Sequence, residues 1–587
     1  MKPDAQTGPV SELTPHYHWI VPAAHPISEA TIADARRRGL SARALRVLSR
    51  RGPVDPTELA SRFDAPEAGL HDPALLPDAA AVRDRVEDAR RAGESVLVLG
   101  DFDADGLTGL AILSEALRAL GLRVEPYVPD RSSEGHGLSM RAVEHARSAG
   151  HGLIMTADTG SGSVAEVAAA GASGIDVIIT DHHVLGPERP AAVALVNAQR
   201  PDSRYPDRRL SGAGIAFKVA QLLLDGREGG REAALGLADL AAIGSIADVV
   251  PIVGENRSIV RLGLARLASS PRPGLAALMA SARVEREGVS TDDISFGLAP
   301  RLNAMGRIGD PRVAAELLLA VDAGSAASLA AQLESANRQR RELTTVAMAE
   351  ARAALAARPG GSFVVLSGDW PVGIIGLVAG RLAEEHGRPA LVLSSTAEPW
   401  RGSARSAGGV DLAAAFATCS DLFDRFGGHP AAAGCHIEAT RVDELRARLE
   451  AFVQLQPPAD ERPSLSLDLV QSADAADYVL LHELAPLEGA GDEPPLVGIA
   501  GLAVQRVRAD NGGHTQLTLR RGREVVDGIC FGRADLAGQL TEGLEIDVVA
   551  RLASRTFAGL ETLQLEIRDI APAGWLRAMR SQGAVSR

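Results

Sequence analysis

Between Ser95 and Val196, short apolar runs take turns with helical stretches, and this rhythm restricts the fold more than any other feature of the chain. The runs are Val96-Leu97-Val98-Leu99, Val124 to Val128, Leu153-Ile154-Met155, Val177-Ile178-Ile179 and Val193 to Val196; Leu107 to Leu120 and Val164 to Ala170 lie between them as helices. A strand with one wet face alternates apolar and polar residues, whereas a run without alternation is apolar on both faces and must be covered on both. Such strands interleaved with helices predict a parallel sheet between helical layers, an α/β domain.

In open α/β sheets ligands bind outside the carboxyl ends of the strands. Here those ends carry acids and histidines. Gly100-Asp101-Phe102-Asp103-Ala104-Asp105-Gly106 follows the first run, Thr156-Ala157-Asp158-Thr159-Gly160 contains the end of the third, and Thr180-Asp181-His182-His183 ends the fourth. Ile243-Gly244-Ser245-Ile246-Ala247-Asp248 adds a further acid after a later apolar stretch. Alternating carboxylates repel one another, and divalent cations are the usual compensation. A loop of solvated acids, as in a calcium-binding loop, is the competing reading; the glutamate that closes an EF-hand is missing, and a buried strand precedes the motif. Oxygen donors with one or two imidazoles suit Mn2+ or Mg2+ better than a thiolate-seeking metal. Two such ions sharing a carboxylate form a site for in-line phosphoryl displacement.

The rest of the chain divides around this domain. Residues 1–80 are rich in Pro, His and Arg and hold no catalytic constellation, so they read as an N-terminal extension. Residues 81–324 are the expected catalytic domain. Residues 325–358 run without Gly or Pro, with Leu329, Leu333, Ala336, Leu343, Val346 and Leu355 at helical spacing, which predicts a long connecting helix ended by Pro359-Gly360-Gly361. A second α/β domain spans 359–455, with runs at Phe363 to Leu366 and Ala390 to Leu393. From 456 to the end, a Pro-rich linker leads into short alternating strands such as Gln516-Leu517-Thr518-Leu519 and Leu563-Gln564-Leu565-Glu566-Ile567, with a hairpin turn expected at Asn511-Gly512-Gly513. These predict a small β-barrel of the OB kind, a shape that grips single strands.

A net charge of −14 argues, taken alone, against an anionic partner, but carboxylates gathered in a metal site are neutralised there. Lys2 and Lys218 are the only lysines, so nearly every cation is a guanidinium, suited to bidentate phosphate contacts, although compositional bias accounts for most of that excess. The three cysteines, Cys419, Cys435 and Cys530, form no CxxC pair and read as buried free thiols. No segment is long and apolar enough to span a membrane and the start lacks a secretory pattern, so no membrane association and a cytoplasmic location are expected.

In order and spacing, GDFDADG, TADTG, TDHH and GSIADVVP resemble the motifs of the DHH phosphoesterase superfamily, the name being spelled by Asp181-His182-His183. Further stretches narrow the resemblance to the RecJ family of single-strand-specific 5′-to-3′ exonucleases: Ala299-Pro300-Arg301-Leu302-Asn303-Ala304-Met305-Gly306-Arg307, Gly373-Ile374-Ile375-Gly376, Gly402-Ser403-Ala404-Arg405-Ser406, and Phe426-Gly427-Gly428-His429 with Ala432-Ala433-Gly434. The resemblance runs from about Ser95 to the C-terminus. It implies ligation of two Mn2+ or Mg2+ ions by Asp101, Asp103, Asp105, Asp158, His182 and Asp248, with Asp101, Asp181 and His183 as catalytic residues. His183 would orient the scissile phosphate, and water rather than a side chain would attack. Arg131, Asn303, Arg307, Ser403, Arg405 and His429 would hold the nucleic acid, in particular its 5′ end. Single-stranded DNA would be the substrate in recombination and repair, with a single-strand-binding protein and a helicase as possible partners.

Where the family often shows Gly-Tyr-Gly this chain has Gly135-His136-Gly137, and Thr159 replaces the Cys or Asn common in the second motif; neither change removes a ligand. With aromatic residues at 3%, binding leans on arginine–phosphate contacts and is expected to depend strongly on salt. Two other readings remain at this stage, a DHH phosphodiesterase for short oligonucleotides or cyclic dinucleotides and a catalytically silent strand-binding scaffold.

Overall fold

A computed structural model describes residues 13–583 apart from Ser132, Pro359, 457–461, 490–492, 511–512 and 558–559. It forms two units, Ala65–Ala459 and a second one made of Met1–Asp64 with Asp460–Arg587.

The larger unit is built on the sheet that the apolar runs predict. Its strands are β1 (Ser95–Gly100), β2 (Arg123–Tyr127), β3 (Leu153–Ala157), β4 (Asp176–Thr180) and β5 (Ala194–Val196), in the order β2-β1-β3-β4-β5. All neighbours are parallel. Alternate residues of the central strands serve the two faces. Val96 and Val98 enter a core with the helices Ala104–Ala119, Gly212–Leu224 and Ala238–Ala247, while Leu97, Leu99 and Ile154 pack under Met140–Ala149 and Val164–Ala172. The chain leaves β1 to one side and returns to its other side as β3, so the order reverses at the ends of β1 and β3. That reversal opens a crevice between the connections leaving the two strands.

The predicted long helix spans Ala323–Ala357, its N-terminus capped by Asp322, which accepts from the Gly324 and Ser325 amides. Ala326, Ala330 and Leu333 belong to the catalytic core, whereas Ala347, Met348 and Ala351 pack with Ile374, Ile375 and Val378 of the next domain. One rigid element thus lies in both cores. The following sheet comprises β6 (Val364–Gly368), β7 (Ala390–Ser394), β8 (Trp400–Arg405), β9 (Arg425–His429) and β10 (Ala432–Ile437), ordered β9-β10-β8-β7-β6. Only β6 and β7 are parallel. The glycine-rich Phe426 to Gly434 is an antiparallel hairpin turning at Pro430-Ala431; its glycines sit within paired strands.

In the smaller unit, β11 (Val497–Ala509), β12 (Thr515–Arg521), β13 (Glu524–Cys530), β14 (Glu545–Phe557) and β15 (Leu560–Pro572) form a closed five-stranded barrel, ordered β11-β12-β13-β15-β14 with β14 returning to β11. Closure pairs the edges that an open sheet would leave exposed. Asn511 and Gly512 of the expected hairpin turn lie outside the described residues.

Residues 1–80 do not form one extension. Through Asp64 they belong to the barrel unit, where Leu45, Val47, Leu48 and Leu59 share a core with Val497, Ile499 and Leu517; from Ala65 they belong to the catalytic unit. The reason is the apolar face of Ala42–Arg51, which packs against the helix Tyr478–Gly489 and the strand Leu469–Ser472. Arg51 grips Asp468 through two nitrogens at 2.8 Å each, and His18–Ile20 pairs with Ser464–Ser466. Asp569, buried on β15, accepts from the His16 and Tyr17 amides at 3.0 Å and from Trp19 Nε1 at 2.7 Å. All three cysteines are buried and free.

Asp569→Ala leaves these donors without their acceptor and should destabilise the barrel unit by roughly 2–4 kcal/mol. Thermal unfolding of the full chain is the check; a loss below about 1 kcal/mol would show that these bonds do not hold the N-terminal segment in place.

Candidate metal centre

The acids converge because three strand ends and three helix ends meet at the crevice. Asp103 is the N-cap of Ala104–Ala119, accepting from the Asp105 and Gly106 amides at 3.1 Å each. Asp105, on the first turn of that helix, accepts from Gly212 N at 2.7 Å and Ala213 N at 2.9 Å, the free amides at the start of Gly212–Leu224. These donors explain how a carboxylate that is 2% exposed is tolerated. A Cβ on Gly212 would meet the Asp158 carboxylate at 2.5 Å, so glycine is needed for the approach. Asp158, just past β3, has φ +62, a left-handed conformation uncommon for a non-glycine residue. Asp248 caps the C-terminus of Ala238–Ala247.

His182 reaches the middle of this group. Its Nε2 lies 3.1 Å from Asp158 Oδ1, 3.7 Å from Asp248 Oδ2 and 3.9 Å from Asp105 Oδ2. The 3.1 Å approach lacks hydrogen-bond alignment, since Asp158 Oδ1 is a buried oxygen without a hydrogen-bond partner, as is Asp101 Oδ1. Donor atoms of Asp105, His182 and Asp248, and of Asp158, His182 and His183, come within one ion's reach. Orphaned buried carboxylate oxygens facing an imidazole, with no thiol nearby, fit hard divalent cations such as Mn2+ or Mg2+.

Electrostatics point the same way. Burial and then the Asp101 charge raise Asp103; burial raises Asp105 with Asp103 adding to it, against His182; burial with Asp105 and Asp103 lifts Asp158 well above the carboxylate range. Burial and Asp105 push Asp248 up to about 6. Asp181 behaves oppositely. Against the cost of its burial, hydrogen bonds from His183 Nδ1 at 2.8 Å and from the Ser161 and His183 amides hold it at about 2. In return the Asp181 bond raises His183 to about 9. Asp181 is therefore fully engaged in orienting the histidine pair. Asn197 Nδ2 donates to the His183 carbonyl at 2.8 Å, and Gln199 Nε2 donates to that of His182.

Arginines rim the acids. Arg131 sits 4.9 Å over the Phe102 ring, against which His136 also packs at 4.6 Å with its Nδ1 3.4 Å from Asp101 Oδ2. Burial, then Arg131, Arg340 and Arg405, push Arg307 down to about 10; burial and Arg131 lower Arg405, and burial lowers Arg131 itself. Arg307 donates to the Gly373 carbonyl at 3.2 Å, and a Cβ on Gly373 would strike the Arg307 carbonyl at 1.9 Å. Arg405 donates to Ser403 Oγ at 3.0 Å. The register sets His429, Ala432 and Arg405 in one cross-strand row, with Gly427, Gly434 and Ser403 in the row two residues away on the same face. Among the described residues no ion pair holds Arg131, Arg307 or Arg405, so three mutually repelling cations border the cluster.

Asn303 stands elsewhere in the scheme: its Oδ1 accepts the Ala104 amide at 2.7 Å, which fixes the acid-bearing loop. Sequence reasoning overlooked Ser161, Asn197, Gln199 and Gly212. Only Gly212 carried a readable signal, as Ser211-Gly212-Ala213-Gly214 places a capping serine and small residues before an apolar helix.

Three family descriptions match in chain order: the DHH family N-terminal domain over residues 95–245, the DHHA1 domain over 360–455 and the RecJ OB domain over 467–569. The single-stranded-DNA-specific exonuclease RecJ of Bacillus subtilis is 34% identical across 90% of this chain and 68% of its own; that of Escherichia coli is 32% identical across 82% and 88%. A crystal structure of RecJ in complex with Mn2+ from Thermus thermophilus superposes with a TM-score of 0.77 at 29% identity, covering 94% of this chain and 79% of that one.

A carboxyl raised by the fold holds its proton more tightly folded than unfolded. Its contribution favours the fold at low pH and is lost as pH rises through the folded value. Without divalent ions the protein should thus lose stability as pH climbs from about 4 through about 6, and Mn2+ should restore it most above that window. Melting curves with and without Mn2+ at several pH values test this, and a Mn2+ effect independent of pH would refute it. Asp158→Asn, which keeps a residue tolerant of left-handed backbone, should raise metal-free stability while weakening Mn2+ binding at least about 100-fold; near-normal Mn2+ affinity would remove Asp158 from the ligand set.

Proposed function

The chain belongs to the RecJ family, metal-dependent 5′-to-3′ exonucleases specific for single-stranded DNA, and from that premise we propose how its own residues divide the work. Asp101, Asp103, Asp105, Asp158, His182 and Asp248 are the metal ligands, Asp103 and Asp105 doubling as helix-start anchors. When bound, two divalent ions supply charge stabilisation at the scissile phosphate and make water nucleophilic at neutral pH. His183, its Nδ1 bonded to Asp181, orients the scissile phosphate, and Asp181 keeps that ring in place. Asp101 fixes His136 beside Phe102, and this pair offers a ring surface where the family often has tyrosine.

The single observation that carries the reading is the juxtaposition of unneutralised arginines with a cluster of buried acids. A cation-filled acid cluster attracts the phosphodiester, and Arg131, Arg307 and Arg405 with Ser403 and His429 take the neighbouring phosphates. Metal ions treat any phosphodiester alike, so end preference comes from groups that recognise the end. Asn303 contributes indirectly, through the loop it caps. The barrel unit retains the strand. The division proposed is a catalytic domain up to about residue 324, the connecting helix, a phosphate-holding domain to 455, and the barrel with residues 1–64. An exonuclease needing an unpaired strand also calls for a helicase and a single-strand-binding protein as partners in a cytoplasmic setting; no described helix is long and apolar enough to cross a membrane.

Charge-assisted contacts contribute roughly 1.5–3 kcal/mol each, so Arg405→Ala should cut activity on 5′-phosphorylated strands by about 10- to 150-fold and shrink their advantage over 5′-hydroxyl strands. Arg405→Lys should recover part of the loss, since it keeps the charge and loses the fork. Digestion of end-labelled single strands with Mn2+ decides: equal losses on both kinds of end would transfer end recognition to Arg307 or Arg131.

A further inference from the structure

Outside the centre at the strand ends, the described residues hold one more set of histidine and carboxylate donors within reach of a single ion, Glu125, His145 and His151. Glu125 lies in β2 opposite Leu97 of β1, on the face that Met140–Ala149 covers. His145 stands on that helix, and His151 follows its end, where Gly150 at φ +74 turns the chain back. His145 Nε2 is 2.7 Å from Glu125 Oε1, and His151 Nε2 is 2.8 Å from Oε2. The His151 side chain is 5% exposed and its buried Nδ1 has no hydrogen-bond partner, so Glu125 is the imidazole's one polar contact among the described residues. Glu125 and His145 are open to solvent. Burial alone would raise the Glu125 carboxyl, but the two histidine hydrogen bonds outweigh it and hold it below the ordinary range.

We propose that Glu125, His145 and His151 form a second metal site, for a transition ion of the zinc class, separate from the catalytic centre. Two imidazoles and a carboxylate with solvent in the fourth position are a donor set Zn2+ accepts. Bonds of about 2.0–2.2 Å set tetrahedral donors about 3.3–3.5 Å apart, so Glu125 withdraws from each nitrogen by roughly half an ångström. Its solvent-facing position allows that. Each imidazole binds through the Nε2 lone pair with its proton at Nδ1, and any imidazolium proton passes to solvent. The site joins two elements that flank the segment carrying Arg131 and His136: β2 enters it at Tyr127, and Met140–Ala149 leaves it after Ser139. Within that segment Glu134 accepts from Tyr127 Oη at 2.9 Å and Ser139 Oγ at 2.6 Å, so its two ends are already drawn together. A bound ion staples both ends.

The test uses the full chain saturated with Mn2+, dialysed against Zn2+ and assayed for bound zinc and for melting temperature. Glu125→Gln with His145→Gln should lose one equivalent of tightly bound zinc, its affinity falling at least about 100-fold, and should lose the zinc-dependent rise in melting temperature. Nuclease activity with Mn2+ alone should stay within about two-fold of the parent, as neither residue touches the catalytic centre. His182→Ala should keep this zinc equivalent while losing activity. His145→Gln alone, at a solvent-facing position, repeats the measurement if the double variant folds poorly. Unchanged zinc content in the Glu125 and His145 variants, or its complete loss in His182→Ala, would overturn the proposal without touching the family assignment.

Discussion

Mutual repulsion among buried carboxylates is the constraint from which the rest of the catalytic unit follows. Asp103, Asp105, Asp158 and Asp248 are all driven toward their protonated forms by burial and by one another. A fold can gather such groups only if rigid elements force the approach and dipoles soften it. The parallel sheet delivers Asp103, Asp158 and His182 from adjacent strand ends, and the start of Gly212–Leu224 turns two amides onto Asp105. What remains uncompensated, in the orphaned oxygens of Asp101 and Asp158, is the binding energy held for divalent ions.

The same logic applies with opposite sign across the crevice. Arg131, Arg307 and Arg405 are held close enough to depress one another. Arginine is nearly the only basic residue of the chain, and many others pair with acids, as Arg51 does with Asp468 or Arg272 with Asp239. These three differ by their placement. On the function proposed above, phosphate is the species that would relieve both clusters.

Much of this could be read from the residues because the signals were local. Unalternating runs announced the parallel sheet, and acids directly after them announced the site. What escaped were contacts between segments far apart in the chain. The Gly212 amide reaches Asp105 across 107 positions and Trp19 reaches Asp569 across 550, and nothing in either local sequence names the other. For that reason residues 13–64 read as part of an extension when they complete the barrel unit's core. The hairpin of β9 and β10 escaped for a different reason: the pairing that makes Gly427, Gly428 and Gly434 strand residues is set by the partner strand. Asn303 sits in a recognisable motif, yet its work is to hold the Ala104 amide.

The helix Ala323–Ala357, 35 residues buried at one end in the core of the parallel-sheet domain and at the other against the domain that follows, also sets a phase. Each residue advances an α-helix by about 1.5 Å and about 100°. One residue inserted between Leu333 and Ala347 would swing the downstream apolar stripe a quarter-turn off its partner. Seven would nearly restore the angle, but they would part the two domains by about 10 Å. Substitutions along the exposed face are cheap and changes of length are not. The helix is thus a fixed gauge between the two cores it enters, and its length is far less free to change than its exposed residues.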